Sequence, residues 1–557
     1  MISNFPSPQQ HGFQKQFSCI TEAFALQEII YYNIECQCNV YVAFLDQKAA
    51  FDCINHDRLF VKIGRLGIKG KSLRILQTSY ENLKCIIRTC NTTSDVIDVR
   101  RGVRQGGVLS TFYYLAYIDE LLQLLESSGY GAKLESLPCG NPTFADDLTL
   151  IGVTPYNLQK LTDIVYRYCI TWDMQINVKK SNVVVFSSRR NPPTLSILYG
   201  NDYIEQTKSA EHLGISQESN LKLNNRIEQR IQKGKNAFYA LAGHGIHPQG
   251  VNPLVSCELY KKVVMPTVLY GAELWNNLTQ TDISKINIFQ HFIPKKIQGF
   301  PISVRSDIAE SMLGLYRLSS AVEKQKMMFL HKILSLPPEC ITKQIFLRKY
   351  YMYLVNKSSV SYGFIPDICN VLKKYNLVTI LNSFIADSHT LPKKCTWKNI
   401  VSNAITLGES ILWNQRTSAD NDFLFFRILH PVIQPCIIYK VFKESCRRHT
   451  MTTIAYLWCR GARIENGICR LCGSETFEEL IHLLSQCTQT QQLRECLSTE
   501  LRDSLGRAFT ADFSTLDNYA WTLKLLGSPI APNLGVDGEK QYLATSYRYI
   551  IDCLKRL

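Results

Sequence analysis

Apolar residues recur at helical spacing over residues 19–35, and the run NVYVAFLD at 39–46 that follows is rich in Val, Tyr and Phe and ends on an acid. The pattern predicts a helix and then a buried strand with Asp46 at its C-terminal end. The loop VRRGVRQGG at 99–107 precedes a long apolar segment, VLSTFYYLAYIDELLQLLE, so a glycine-rich turn opens a second helix. PTFADDLTLIG at 142–152 reads as strand, Asp-Asp turn, strand. Thr154 and Pro155 suit the N-cap and first position of a third helix, whose buried face would carry Leu158, Leu161, Val165, Tyr168 and Trp172. NVKKSNVVVFSS at 177–188 is one more strand, entered through two lysines. The order helix, strand, helix, hairpin, helix, strand predicts an α+β sheet with helices packed on one side.

Beyond about residue 200 the pattern predicts a mostly helical chain. LKLNNRIEQRIQKGKNAF at 221–238 carries an apolar stripe (Leu223, Ile227, Ile231, Phe238) beside a basic one (Arg226, Arg230, Lys233). Turn formers at 334–339 (LSLPPE) and 386–396 (ADSHTLPKKCT) break the helical pattern.

Composition adds a direction. The 557 residues suffice for several domains, and 62 Lys and Arg against 47 Asp and Glu give +15, which favours an anionic partner such as nucleic acid or an acidic membrane surface. The start, MISNFPSPQQ, has neither the basic nor the apolar region of a signal peptide, and the longest apolar run is too short to span a bilayer. An intracellular, unsecreted protein is expected, its 20 cysteines reduced and any clustered set suspected of binding metal.

Asp146 and Asp147 stand side by side in an apolar run, where an unpaired charge is costly. A tight turn between strands accounts for this pair. A metal site accounts for more, because Asp46 ends another strand and can meet them across a shared sheet. Carboxylate oxygens are the hard ligands Mg²⁺ prefers, and phosphoryl transfer consists mostly of positioning and charge neutralisation. Near the C-terminus Cys469, Cys472, His482 and Cys487 have the spacing C-x2-C-x9-H-x4-C, three thiolates and an imidazole suited to tetrahedral Zn²⁺.

Several of these stretches, in order, resemble the reverse transcriptases of non-LTR retrotransposons, LINE-like and jockey-like. AFLDQKAAFD at 43–52 is similar to the first catalytic motif, RRGVRQGGVLS at 100–110 to the motif that meets nucleotide and template, and FADD at 144–147 to the paired-aspartate signature. NVKKSNVVVF, HLGI at 212–215, MPTVLYGAELW at 265–275, QQHGFQKQFSC at 9–19 and the CCHC set match further family segments.

The resemblance implies an RNA-directed DNA polymerase that extends a DNA 3′ end on an RNA template with two Mg²⁺ ions on Asp46, Asp146 and Asp147. It implies nucleotide contacts at Phe51, Gln105, Gly106 and Lys180, and nucleic-acid contacts at Gly107, Arg226, Arg230 and Lys233, with Phe51 excluding a ribose 2′-hydroxyl. The expected layout is a right-hand polymerase palm with partial fingers over 1–200, a helical thumb and following region over 201–300, a helical region over 301–460, a CCHC zinc finger over 461–490 and a helical tail over 491–557. RNA template, DNA primer and dNTPs are the expected partners, without membrane, in nucleus and cytoplasm. Only eight residues precede Gln9, so an N-terminally truncated copy is expected. The alternative is a catalytically inactive remnant that only binds nucleic acid; a group II intron maturase fits the CCHC set and the YGAELW segment less well.

Overall fold

The computed structural model describes all of the chain except residues 1–4, 190–191, 248–249, 358–359, 420–423, 442–452, 459–466, 477–478, 507–514, 528–534 and 557. Strand β1 (Val40–Asp46) is apolar and buried at six successive positions, and only Asp46 is part-exposed. A strand without alternation is buried on both faces. It therefore sits inside a six-stranded sheet, ordered β2-β3-β1-β4-β6-β5, where β2 is Thr143–Phe144, β3 Asp147–Gly152, β4 Asn182–Phe186, β5 Ile197–Tyr199 and β6 Asp202–Thr207. All pairings are antiparallel except β4 with β6.

On one face Tyr41, Ala43 and Leu45 join a core with helices α2 (Ser110–Ser127) and α3 (Pro155–Trp172). The predicted start of α3 is present: Thr154 accepts a hydrogen bond from the Asn157 amide at 3.1 Å, Pro155 follows, and Leu158, Leu161, Val165 and Tyr168 are buried. The expectation of helices on one side needs correction. Phe44, on the other face, lies against His212, which meets Glu22 of helix α1 (Cys19–Glu35), so α1 covers the face that β1 could not leave in water.

Beyond residue 200 the chain is mostly helical as expected, but the helices start later than the pattern suggests. Besides β6, strands β7 (Ser209–His212) and β8 (Ile215–Glu218) pair as a hairpin, and the next helix, α4 (Asn224–Gly243), begins only afterwards. Both predicted breaks fall between helices: Leu318–Leu334 from Ile341–Val355, and Val378–Ala386 from Lys394–Ala419.

The chain forms two compact units. The first comprises 1–226, 271–278 and 325–397, the second 227–270, 279–324 and 398–557. In the first, buried Lys326 binds the Trp275 carbonyl and Asp367, and fully buried Lys349 pairs with Glu28 at 3.0 Å and Glu35 at 3.5 Å. The Lys349 pairs fasten the 325–397 segment to α1. The second unit is helical. Among the described residues no helix is long and apolar enough to cross a membrane.

Candidate active site

The register of the sheet brings the predicted acids together. Asp46, last in β1, is the pairing partner of Asp147, first in β3, and Asp146 occupies the two-residue turn from β2 to β3 beside Ala145. Ala145 is held at φ 56, a left-handed conformation that costs an alanine about 1–2 kcal/mol. Burial, followed for Asp146 by the charge of Asp46, raises the carboxyls of Asp146 and Asp147; His212 offsets part of this at Asp147, where Asp146, Glu22 and Asp46 add to the rise. Half-buried acids whose charges gather in one place are a donor set suited to a cation. Hard oxygens in this arrangement fit Mg²⁺.

The other predicted residues of this unit gather around β1. The 177–181 turn is latched to Asp46: the Asn177 amide donates to the Asp46 carbonyl at 2.8 Å, and the Asp46 amide donates to Ser181 Oγ at 3.1 Å. Lys180 is exposed on that turn. Val103 donates its amide to the Phe51 carbonyl at 2.9 Å, which ties the Gln105, Gly106, Gly107 loop to Phe51. Gly106 has φ 77 and faces open space, so the loop's backbone is accessible; a Cβ on Gly107 would lie 2.6 Å from Ser110 Oγ.

Two further residues contribute to the surroundings of these acids. Tyr114, inside the apolar α2 run, stacks on Phe51 with ring centroids 4.7 Å apart and donates to Gln47 Oε1 at 2.7 Å. Its only signal was a place in an apolar, aromatic-rich run beside Phe112 and Tyr113. His212 is buried between Glu22 (3.2 Å) and Thr149 (3.3 Å), and the charges of Glu22 and Asp147 raise it against the opposing effect of burial. It ends β7 and opens the HLGI stretch at 212–215, whose resemblance to a family segment did not point to this contact with Glu22.

The basic stripe divides. Arg226 does not fit the expected role, because it is buried and its guanidinium donates to the Ser216 carbonyl at 2.9 and 2.6 Å. Third in α4 and beside buried Ile227, it faces inward and supplies the donor that the Ser216 carbonyl needs. Arg230 lies over the Tyr270 ring at 4.6 Å and Lys233 is exposed. Arg226→Ala should therefore lower stability by about 1–3 kcal/mol through the orphaned carbonyl, whereas Lys233→Ala should reduce the salt dependence of duplex binding. Denaturant unfolding and a salt titration of binding check the pair.

In the second unit the four predicted ligands converge. One ligand atom from each of Cys469, Cys472, His482 and Cys487 lies within 4.8 Å of all the others. Cys469 and Cys487 sulfurs are 3.9 Å apart, and Cys472 Sγ is 3.1 Å from His482 Nε2. Tetrahedral zinc with bonds of about 2.3 Å sets sulfur atoms about 3.8 Å apart. Hydrogen bonds from Ser474 lower the Cys472 thiol to about 6, so it is readily a thiolate.

Residues 1–217 match the family model described as reverse transcriptase (RNA-dependent DNA polymerase). The chain is 22% identical to the RNA-directed DNA polymerase from mobile element jockey of Drosophila funebris, over 60% of this chain and 36% of that protein. It is 26% identical to the probable RNA-directed DNA polymerase from transposon X-element of Drosophila melanogaster, over 57% and 34%. With the Pol polyprotein from type-1 retrotransposable element R2 of Popillia japonica it shares 30% over 31% and 25%. The chain spans about a third of the length of the first curated relatives it matches.

Proposed function

We propose that this chain, a reverse transcriptase of the non-LTR type, adds deoxynucleotides to a DNA 3′ end along an RNA template. The observation that carries the reading is the register match of Asp46 with Asp147, with Asp146 in the adjoining turn. These three carboxylates would hold two Mg²⁺ ions. When bound, the ions supply charge neutralisation at the attacking and leaving oxygens. The primer 3′-oxygen forms a bond to the α-phosphorus as the bond to pyrophosphate breaks, and Lys180 would neutralise or protonate that leaving group.

In this reading the ring of Phe51, backed by Tyr114, fills the space of a ribose 2′-hydroxyl. Gly106 and Gly107 let backbone approach the nucleotide and template, with Gln105 beside them. Residues 1–200 act as palm with partial fingers and 201–300 as thumb and following region, with Arg230 and Lys233 along duplex phosphates. The CCHC set would hold Zn²⁺ in a small module over 461–490, between the helical region 301–460 and the tail 491–557. RNA, DNA and dNTPs are the partners, and a retrotransposon enzyme meets them in nucleus and cytoplasm.

The test is primer extension on poly(A) RNA with an annealed DNA primer, dNTPs and Mg²⁺, comparing the chain with its Asp146→Ala, Asp147→Ala double variant. Extension by the unaltered chain alone is expected. Binding without extension by either protein would leave nucleic-acid binding as the function.

A further inference from the structure

The turn that carries Asp146 and Asp147 is built from outside its own hairpin. Residues 9–11 run parallel beside β2, with the His11 amide donating to the Thr143 carbonyl at 2.7 Å and the Thr143 amide to the Gln9 carbonyl at 2.9 Å. That places the side chain of Gln10, only 1% exposed, against Ala145. Its Oε1 accepts from the Ala145 amide at 2.8 Å and from the Gly12 amide at 2.7 Å, and its Nε2 donates to the Ala145 carbonyl at 3.4 Å. One amide side chain thus meets both polar groups of the one residue in the turn with φ above zero. Gly12 is pressed so close that a Cβ there would lie 2.3 Å from the Ala145 nitrogen.

A two-residue turn normally gives a left-handed position to glycine or asparagine. Here alanine occupies it, and nothing in its own side chain favours that conformation. We infer that Gln10 and Gly12 are positioning residues that lock the Ala145 peptide left-handed and so fix where the adjacent Asp146 and Asp147 present their carboxylates. The inference rests on reading those aspartates as the catalytic acids. It assigns the 9–12 segment a part in the chemistry although none of its side chains needs to touch substrate.

Glycine at position 145 adopts the left-handed conformation without a brace, which supplies the test. Full-length chains carrying Gln10→Leu, Ala145→Gly or both are compared in single-turnover extension at saturating primer, template and dNTP, and in Mn²⁺ binding followed by electron paramagnetic resonance. Gln10→Leu should slow extension about 10- to 100-fold, the scale of a small misplacement of reacting groups, with template-primer affinity unchanged and Mn²⁺ held more weakly. Adding Ala145→Gly should restore the double variant to within about threefold of Ala145→Gly alone, because coupled sites are not additive. Gly12→Ala, which keeps the Gln10 side chain but intrudes on the Ala145 amide, gives a second route to the same loss. Independent, multiplying effects of the two substitutions, or an unchanged rate in Gln10→Leu, would overturn the inference. If the unaltered chain does not extend primers, the polymerase reading fails by itself, and the Mn²⁺ series still decides the brace: weakening with rescue upholds it, weakening without rescue or no weakening overturns it.

Discussion

Asp146→Asn is expected to abolish nucleotide addition while making the chain harder to unfold. The loss should be on the order of 10³-fold or more, since in the proposed reading the substitution removes a negative charge that holds the cation neutralising the phosphate oxygens. The gain in stability comes from the same charge. Burial and the nearby Asp46 raise the Asp146 carboxyl above its ordinary value of 3.8, so the folded chain holds that proton more tightly than the unfolded chain does. Ionising the group then costs the fold stability: the cost is complete above the raised value and vanishes below 3.8. Asparagine cannot ionise. Its advantage in thermal unfolding should be greatest at neutral pH without metal and should disappear as pH falls towards the ordinary carboxyl value. Saturating Mg²⁺ should narrow the difference from the other side by stabilising only the unaltered chain. A variant less stable than the parent at neutral pH would mean that ionised Asp146 already has a cationic partner in the fold, and the metal reading would lose its electrostatic basis.

The opposition of activity and stability explains why the acids were legible in the sequence at all. Three carboxylates in or beside apolar strands violate the pattern around them, and such violations mark functional sites. β1 was legible because six apolar residues leave no other home, and α3 because cap, proline and stripe agree. The short strands between 197 and 218 were not, since three to six residues with polar outward positions look like loop until a neighbour pairs with them. Arg226 misled for a related reason: charge predicts exposure, and only the Ser216 carbonyl beside it in space says otherwise. Gln10 was visible in the QQHGFQKQFSC stretch, yet the Ala145 peptide it binds lies 135 residues away along the chain, a distance no local pattern reports.

The second large effect is expected at the four-ligand cluster. Elemental analysis of the purified chain should find one zinc per molecule, and Cys472→Ser or Cys487→Ser should remove it. Apparent zinc binding energies in small finger peptides are about 10–16 kcal/mol at neutral pH, so the region should lose most of its folding energy with the ion. A strong chelator should therefore abolish or sharply lower the unfolding transition that includes Trp521 and Tyr549, whose rings meet at 6.1 Å near the helices that follow the cluster. Oxidation offers a rival account of three clustered thiols. The Cys469 and Cys487 sulfurs are 3.9 Å apart, well beyond the roughly 2.05 Å of a disulfide, but a small movement would close them. Reductant separates the two accounts. A disulfide staple would be lost to reductant and indifferent to chelator, whereas a zinc centre should survive reductant, fall to chelator and be rebuilt by added Zn²⁺ in parallel with the release of protons from its thiols. The low Cys472 thiol sets how far that proton release persists in acid: with its thiolate available down to about 6, zinc should be retained to lower pH in the unaltered chain than in Ser474→Ala, where the hydrogen bonds that favour the thiolate are weakened.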